Sequence, residues 1–140
     1  MTSRGEIETI IHALYNARND RDIETIRGYL HPDCSFRIVG NEALGAITQK
    51  MEGRDAVCAA VDALIEHWDL SDVRIFSMHI DGDTAFVHRG GPVGFLPRQV
   101  WNPAEMLDKF TFLDGKMLEF VEFADTLLIS EMLGLKSPAP

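Results

Sequence analysis

The hydrophobic spacing changes once along this chain, and that change restricts the fold more than any other feature. Up to Trp68 the apolar residues recur at helical intervals. Ile7, Ile10, Ile11, Leu14 and Ala17 fall on one face, and Val57, Ala60, Val61, Leu64, Ile65 and Trp68 on another. Ser3 and Glu6 fit a reciprocal cap at the start of the first stripe. A second, shorter helix carries Ile23, Ile26 and Leu30 inward and must end at His31, because Pro32 disfavours the α region before it. From Val73 the spacing becomes two. Strands are expected at 73–80, 84–89, 105–113 and 116–124, with turns at Asp81-Gly-Asp83 and Asp114-Gly115. Cys34 to Val39 reads as an isolated short strand, 40–52 as a loop, and 90–103, with three glycines and three prolines, as a long connection. A short apolar helix, Leu127 to Leu133, closes the chain before Gly134. Helices segregated from consecutive antiparallel strands mean α+β, not a doubly wound sheet.

At 140 residues, this is one domain, expected over 1–135, with a loose tail at 136–140. The 13 basic residues against 22 acidic ones leave a net charge of −9. A surface that negative repels phosphate backbones and anionic lipid, so neither nucleic acid nor membrane is an expected partner. Cys34 and Cys58 lack metal-type or CxxC spacing and are expected as reduced thiols. With no apolar segment of leader or spanning length, a cytoplasmic location is expected. The histidines share no ligand spacing, and no metal or cofactor is expected; GxSxG, GxGxxG and phosphate-loop patterns are absent.

Alternation places candidate chemistry on particular faces. Met106, Asp108, Phe110 and Phe112 share a face that is apolar apart from the carboxylate. Ala85, Val87 and Arg89 form one set on the preceding strand. The last strand is ambiguous. A two-residue turn at Asp114-Gly115 pairs Leu113 with Lys116 and sets Asp108 beside Val121. A three-residue loop pairs Phe112 with Lys116, so that Asp108 faces Phe120 and Glu122 joins its side.

The element order, with Asn19-Asp-Arg-Asp-Ile23, Leu30-His-Pro-Asp33 leading to Phe36, Glu52-Gly-Arg-Asp-Ala-Val57, and Phe110-Thr-Phe-Leu-Asp-Gly-Lys-Met117 running on to Glu122-Phe-Ala-Asp125, resembles the nuclear transport factor 2-like superfamily and, within it, the SnoaL-like proteins. The resemblance implies a cone-shaped, curved antiparallel sheet packed on three helices around a central apolar pocket, and a homodimer formed through the outer sheet face. It also implies no single activity, since the superfamily hosts isomerases, cyclases, hydrolases and non-enzymes. Of the ketosteroid isomerase site, the protonated aspartic acid aligns with Asp108, but the base falls on Ile38 and the tyrosine on Leu14, one residue from Tyr15. Of the limonene epoxide hydrolase site, the arginine aligns with Arg89 and one aspartate with Glu122. The other aspartate falls near Gly91, and the pair that holds the water falls near Arg37 and Val39.

These readings give a small hydrophobic ligand or substrate and chemistry without a cofactor, with Glu122 as base, Asp108 as acid or hydrogen-bond donor, and Arg89 as orienter. Arg89 could instead be a structural partner of the carboxylates. The expected ligand contacts are Tyr15, Ile38, Trp68, Val87, Met106, Phe110 and Phe120. Trp101 could cover the pocket mouth or a dimer contact. The rival reading is a non-catalytic ligand-binding or protein-interaction module.

Overall fold

The computed structural model describes residues 2–135, so the tail expected at 136–140 lies outside the described residues. The chain runs α1 (Arg4–Asn19), α2 (Ile23–Tyr29), β1 (Leu30–Val39), β2 (Met51–Glu52), α3 (Arg54–His67), β3 (Trp68–Asp69), β4 (Arg74–Asp81), β5 (Thr84–Phe95), β6 (Val100–Leu113), β7 (Lys116–Ala124) and α4 (Thr126–Leu133). Helix α1 starts at the cap foreseen: Ser3 accepts from the Glu6 N–H, and the Glu6 carboxylate accepts from the Ser3 N–H. Its buried residues are the five of the apolar stripe.

The seven strands form one sheet in the order β2-β1-β7-β6-β5-β3, with β4 on the remaining part of the β5 edge. The sheet curls into a half-barrel around α1 and α3. It is antiparallel except at one seam, where β1 runs parallel to β7. The segment between these strands, with β2, α3 and β3 to β6, brings the chain back to the same end, as a parallel pair requires.

Two segments differ from the sequence reading. Residues 90–103 are not a long connection; β5 and β6 continue through them, joined by a 3₁₀ turn at Leu96–Arg98. Pro92 and Pro103 oppose each other in register. Pro92 lies between the last pair with β4, at Gly90, and the first with β3, at Gly94, while Pro103 lies beyond Met106, the last residue paired with β7. Each missing N–H therefore falls at an open edge, where a strand tolerates proline. The loop at 40–52 contains a 3₁₀ segment, Glu42–Thr48, and strand β2, which pairs Glu52 with Ser35.

The hairpin at Asp114-Gly115 settles the ambiguous register. Both residues have positive φ, 52° and 76°, which makes a two-residue turn pairing Leu113 with Lys116. Leu118 is then an extra residue: Phe112 pairs with Met117, but Thr111 pairs with Glu119. This bulge turns the rest of β7 over by one position. Asp108 consequently lies opposite Glu122, a register that neither simple turn provides.

Candidate active site

All four helices and strands β1, β3, β5, β6 and β7 converge on a cavity of about 150 Å³ inside the cone. Its walls are apolar: Leu14 of α1, Phe36 and Ile38 of β1, Leu64 of α3, and Leu128 and Met132 of α4. Phe120 stacks on Phe36 with ring centroids 5.3 Å apart and meets Phe110 edge-on at 4.8 Å. Arg18 of α1, Arg89 of β5 and Glu122 of β7 bring charge to this apolar space, and Glu105 and Asp125 also border it.

Arg89 is almost wholly buried, and Asp108 is entirely so. Arg89 Nε lies 2.7 Å from Asp108 Oδ2, although its N–H is not aligned on that oxygen, so the contact is a close ion pair. Arg89 Nη2 reaches Glu122 Oε2 at 3.5 Å. The Tyr15 hydroxyl donates to Asp108 Oδ2 at 2.7 Å, and the Arg89 guanidinium carbon sits 4.1 Å from the centre of the Tyr15 ring. Tyr15 thus holds both members of the pair, one through its hydroxyl and the other through its π face. Burial first and Asp108 second push the Tyr15 hydroxyl well above its ordinary range, so it stays a proton donor here. Burial works against the Arg89 charge, but Asp108, Tyr15 and Glu122 together raise its pKa.

Burial and the neighbouring Asp108 carboxylate, which also accepts a hydrogen bond from Glu122, push the Glu122 carboxyl well above 4.5; Arg89 and Arg18 oppose this without cancelling it. Asp108 is engaged by a guanidinium and a hydroxyl, and Glu122 is the carboxyl of the cluster that burial drives toward its protonated form.

Arg18 was absent from the residues singled out in the sequence. Its Nη2 donates to the carbonyls of Leu64 at 3.3 Å and Trp68 at 3.0 Å, which end α3. Burial lowers its pKa to about 10. The signal was available: Arg18 stands four residues after Leu14, on the inward stripe, but its setting in Arg18-Asn-Asp-Arg-Asp22 resembled a polar break.

The cavity brings together most of the residues expected there. Tyr15, Ile38, Trp68, Met106, Phe110 and Phe120 line it, as do Arg89 and Glu122. Val87 and Asp108 do not. Both are fully buried behind the wall, Val87 paired with Asp108 across β5 and β6. Asp108 therefore touches Arg89, Tyr15 and Glu122 rather than an occupant, which corrects its expected role as a donor to substrate. Gly91, the position near the second epoxide hydrolase aspartate, faces the backbone of Asp72, whose carbonyl oxygen would lie 2.6 Å from a Cβ there, so no side chain fits. Trp101 lies on the outer face against Gly94, away from the cavity mouth. Among the described residues, no three His, Cys, Asp or Glu side chains converge as metal ligands, and no helix is long and apolar enough to cross a membrane.

The fold recurs among known proteins. An isomerase-like protein of Rhodopseudomonas palustris superposes with a TM-score of 0.79 at 18% identity, covering 96% of this chain and 99% of its own. TerC, co-crystallised with polyporic acid, gives 0.77 at 22%, covering 92% and 98%. An epoxide hydrolase of Mycobacterium tuberculosis, of the limonene epoxide hydrolase-like kind, gives 0.71 at 18%, covering 92% and 90%. At these identities the likeness establishes the architecture. No curated protein matches the chain. The SnoaL-like domain model matches residues 11–120, which span α1 to the bulged strand β7 and hold all of the charged groups just described except Glu122 and Asp125, and on that match the chain belongs to the SnoaL-like family.

Proposed function

We propose that the cavity binds a small, largely apolar organic molecule and that Glu122 moves a proton on it without a cofactor. One observation carries this reading: a carboxyl with a strongly raised pKa and a buried guanidinium enter the same apolar cavity within 3.5 Å of each other. A carboxyl raised toward neutrality is a more effective base when ionised and a usable acid when protonated. In the simplest reaction, the Glu122 carboxylate takes a proton from the carbon between a substrate carbonyl and a carbon–carbon double bond. The electron pair passes to the carbonyl oxygen, whose negative charge Arg89 stabilises. Glu122 then returns the same proton to the far carbon of that double bond, which shifts into conjugation as the carbonyl re-forms, so the reaction is a balanced isomerisation. Asp108 and Tyr15 position Arg89.

The test is exchange of the α-protons of phenylacetone with D₂O, followed by proton NMR. The protein should accelerate it, and Glu122→Gln, which keeps the shape but loses the base, should fall at least tenfold toward the background rate. Equal exchange in the two proteins would remove Glu122 from the reaction.

The outer sheet face supports an expectation of self-association. Phe76, Phe86, Leu107 and Phe123 are exposed there, with Leu107 and Phe123 directly paired. Lys109 and Glu119 flank them, so opposite charges are available to a two-fold partner. We propose a homodimer through this face. Leu107→Glu should shift the sedimenting species from dimer to monomer; a monomeric wild type would end this proposal.

A further inference from the structure

We propose that the occupant of the cavity carries one negative charge, on a carboxylate, phenolate or enolate oxygen held between Arg18 and Arg89. The proposal deepens the small-molecule reading above and rests on it. It comes from the inventory of charges that face the cavity. Arg89 is matched by Asp108, behind the wall. Arg18 is matched by no carboxylate: among the described residues none lies within 4 Å of it, and its partners are the two neutral carbonyls that end α3. Only Nη2 makes those bonds. Nε and Nη1 make none to the described residues, yet neither is sealed from open space.

The other acids nearby are already engaged. Asp69 acts on Arg18 from a distance, but its Oδ1 accepts from both the N–H and the hydroxyl of Ser71, at 2.9 and 2.6 Å. Asp125 caps α4 through the Leu128 N–H. Glu105 pairs with His88 on the other side of the sheet. Glu122, the remaining acid on the wall, lies against Arg89 at 3.5 Å and acts on Arg18 only from beyond ion-pair distance, and burial and Asp108 push its carboxyl toward the neutral form. The cavity therefore presents two guanidiniums, of which Arg89 has carboxylates in contact and Arg18 has none among the described residues.

A buried guanidinium without a counter-ion is costly, and an entering anion removes that cost while gaining charge-assisted hydrogen bonds. A neutral molecule of the same shape leaves the cation unmatched. Whenever Glu122 carries its proton, that O–H is a further donor to the same oxygen. A cavity of about 150 Å³ limits the apolar part to the order of one ring.

Phenylacetate and phenylacetamide differ almost only in charge. Titrated into the protein at pH 7 and followed by NMR or calorimetry, phenylacetate should bind about tenfold more tightly or better. Arg18→Met should bring the two within about twofold, chiefly by weakening phenylacetate, and Arg18→Lys should restore part of the preference. The wild-type comparison stands even if Arg18→Met does not fold. Equal affinity in the wild type would overturn the proposal while leaving a small-molecule pocket. A preference kept in Arg18→Met would overturn the role of Arg18. Binding of neither probe would overturn this inference together with the pocket reading beneath it. Failed deuterium exchange beside an intact phenylacetate preference would remove only the proton transfer.

Discussion

Asp108→Asn is expected to lower the unfolding free energy by about 3 kcal/mol, and combining it with Glu122→Gln to lower it by more than the two single effects added. Asp108 is the nearer of the two carboxylates at Arg89 and the acceptor of the Tyr15 hydroxyl, and the Arg89 and Asp108 side chains are 7% and 0% exposed. Removing one member of such a pair leaves a buried charge unmatched, which costs roughly 3–5 kcal/mol. Here a second carboxyl stands in reserve. Glu122 Oε2 is 3.5 Å from Arg89, and Asp108 is itself one of the two causes that keep Glu122 protonated. In Asp108→Asn that cause disappears, Glu122 can ionise against Arg89, and the loss settles at the lower end of the range. In the double variant nothing replaces the lost charge, so the couplings are non-additive. Asp108→Leu combined with Arg89→Met should recover much of the loss, because well-packed apolar residues commonly match a buried pair in stability. Denaturant unfolding of the wild type and these four variants reads all of this. Asp108→Asn within about 1 kcal/mol of wild type, in both the native and the Glu122→Gln background, would show that the pair is hydrated and not confined.

The parts of this arrangement legible in the sequence were those set by local rules. The α1 stripe, its Ser3–Glu6 cap, the Asp114-Gly115 turn and the inward face of Met106, Asp108, Phe110 and Phe112 each follow from spacing or turn chemistry within a few residues. What escaped depended on distant partners. The inward orientation of Glu122 is decided by one extra residue, Leu118, and no periodicity says where a strand will absorb it. Residues 90–103 looked like a loop because proline and glycine are counted as breakers; they form strands because their unpaired positions meet open edges, a property of the assembled sheet. The separation of Asp108 from the cavity wall has the same origin. Strand alternation tells which side a side chain takes, but not whether Tyr15 and Arg89 will stand between it and the open space. Arg18 sits in phase with the α1 stripe, yet a charge on an inward stripe is recognisable only once the helix carbonyls it caps are known.

The stability of the wild type should fall as the pH is raised from 5 to 8, and Glu122→Gln should remove that fall. In the unfolded chain Glu122 titrates near its ordinary value of 4.5; in the folded protein, burial and Asp108 hold it well above. Between the two values the folded state carries the extra proton. Raising the pH then favours the unfolded state, so the stability present below 4.5 is withdrawn as the pH climbs toward the folded value. The opposite sign belongs to Asp69, whose pKa is depressed by its bonds from Ser71. It contributes above the ordinary aspartate value and is lost in acid, below the window in question. Titrations of the histidines are common to both proteins and cancel in the difference. The two unfolding temperatures should therefore nearly coincide at pH 4.5 to 5 and separate steadily above it, Glu122→Gln becoming the more stable. A relief of about 1 kcal/mol is roughly 3–4 °C in a domain of this size. Phenylacetate bound beside Arg18 would hold the Glu122 proton more tightly still, moving the fall to higher pH in its presence. A difference that stays flat from pH 5 to 8 would mean that Glu122 is already ionised when the protein is folded. Arg18 would then share the cavity with an ionised carboxylate beyond ion-pair distance, and the preference for an anionic occupant would be correspondingly smaller.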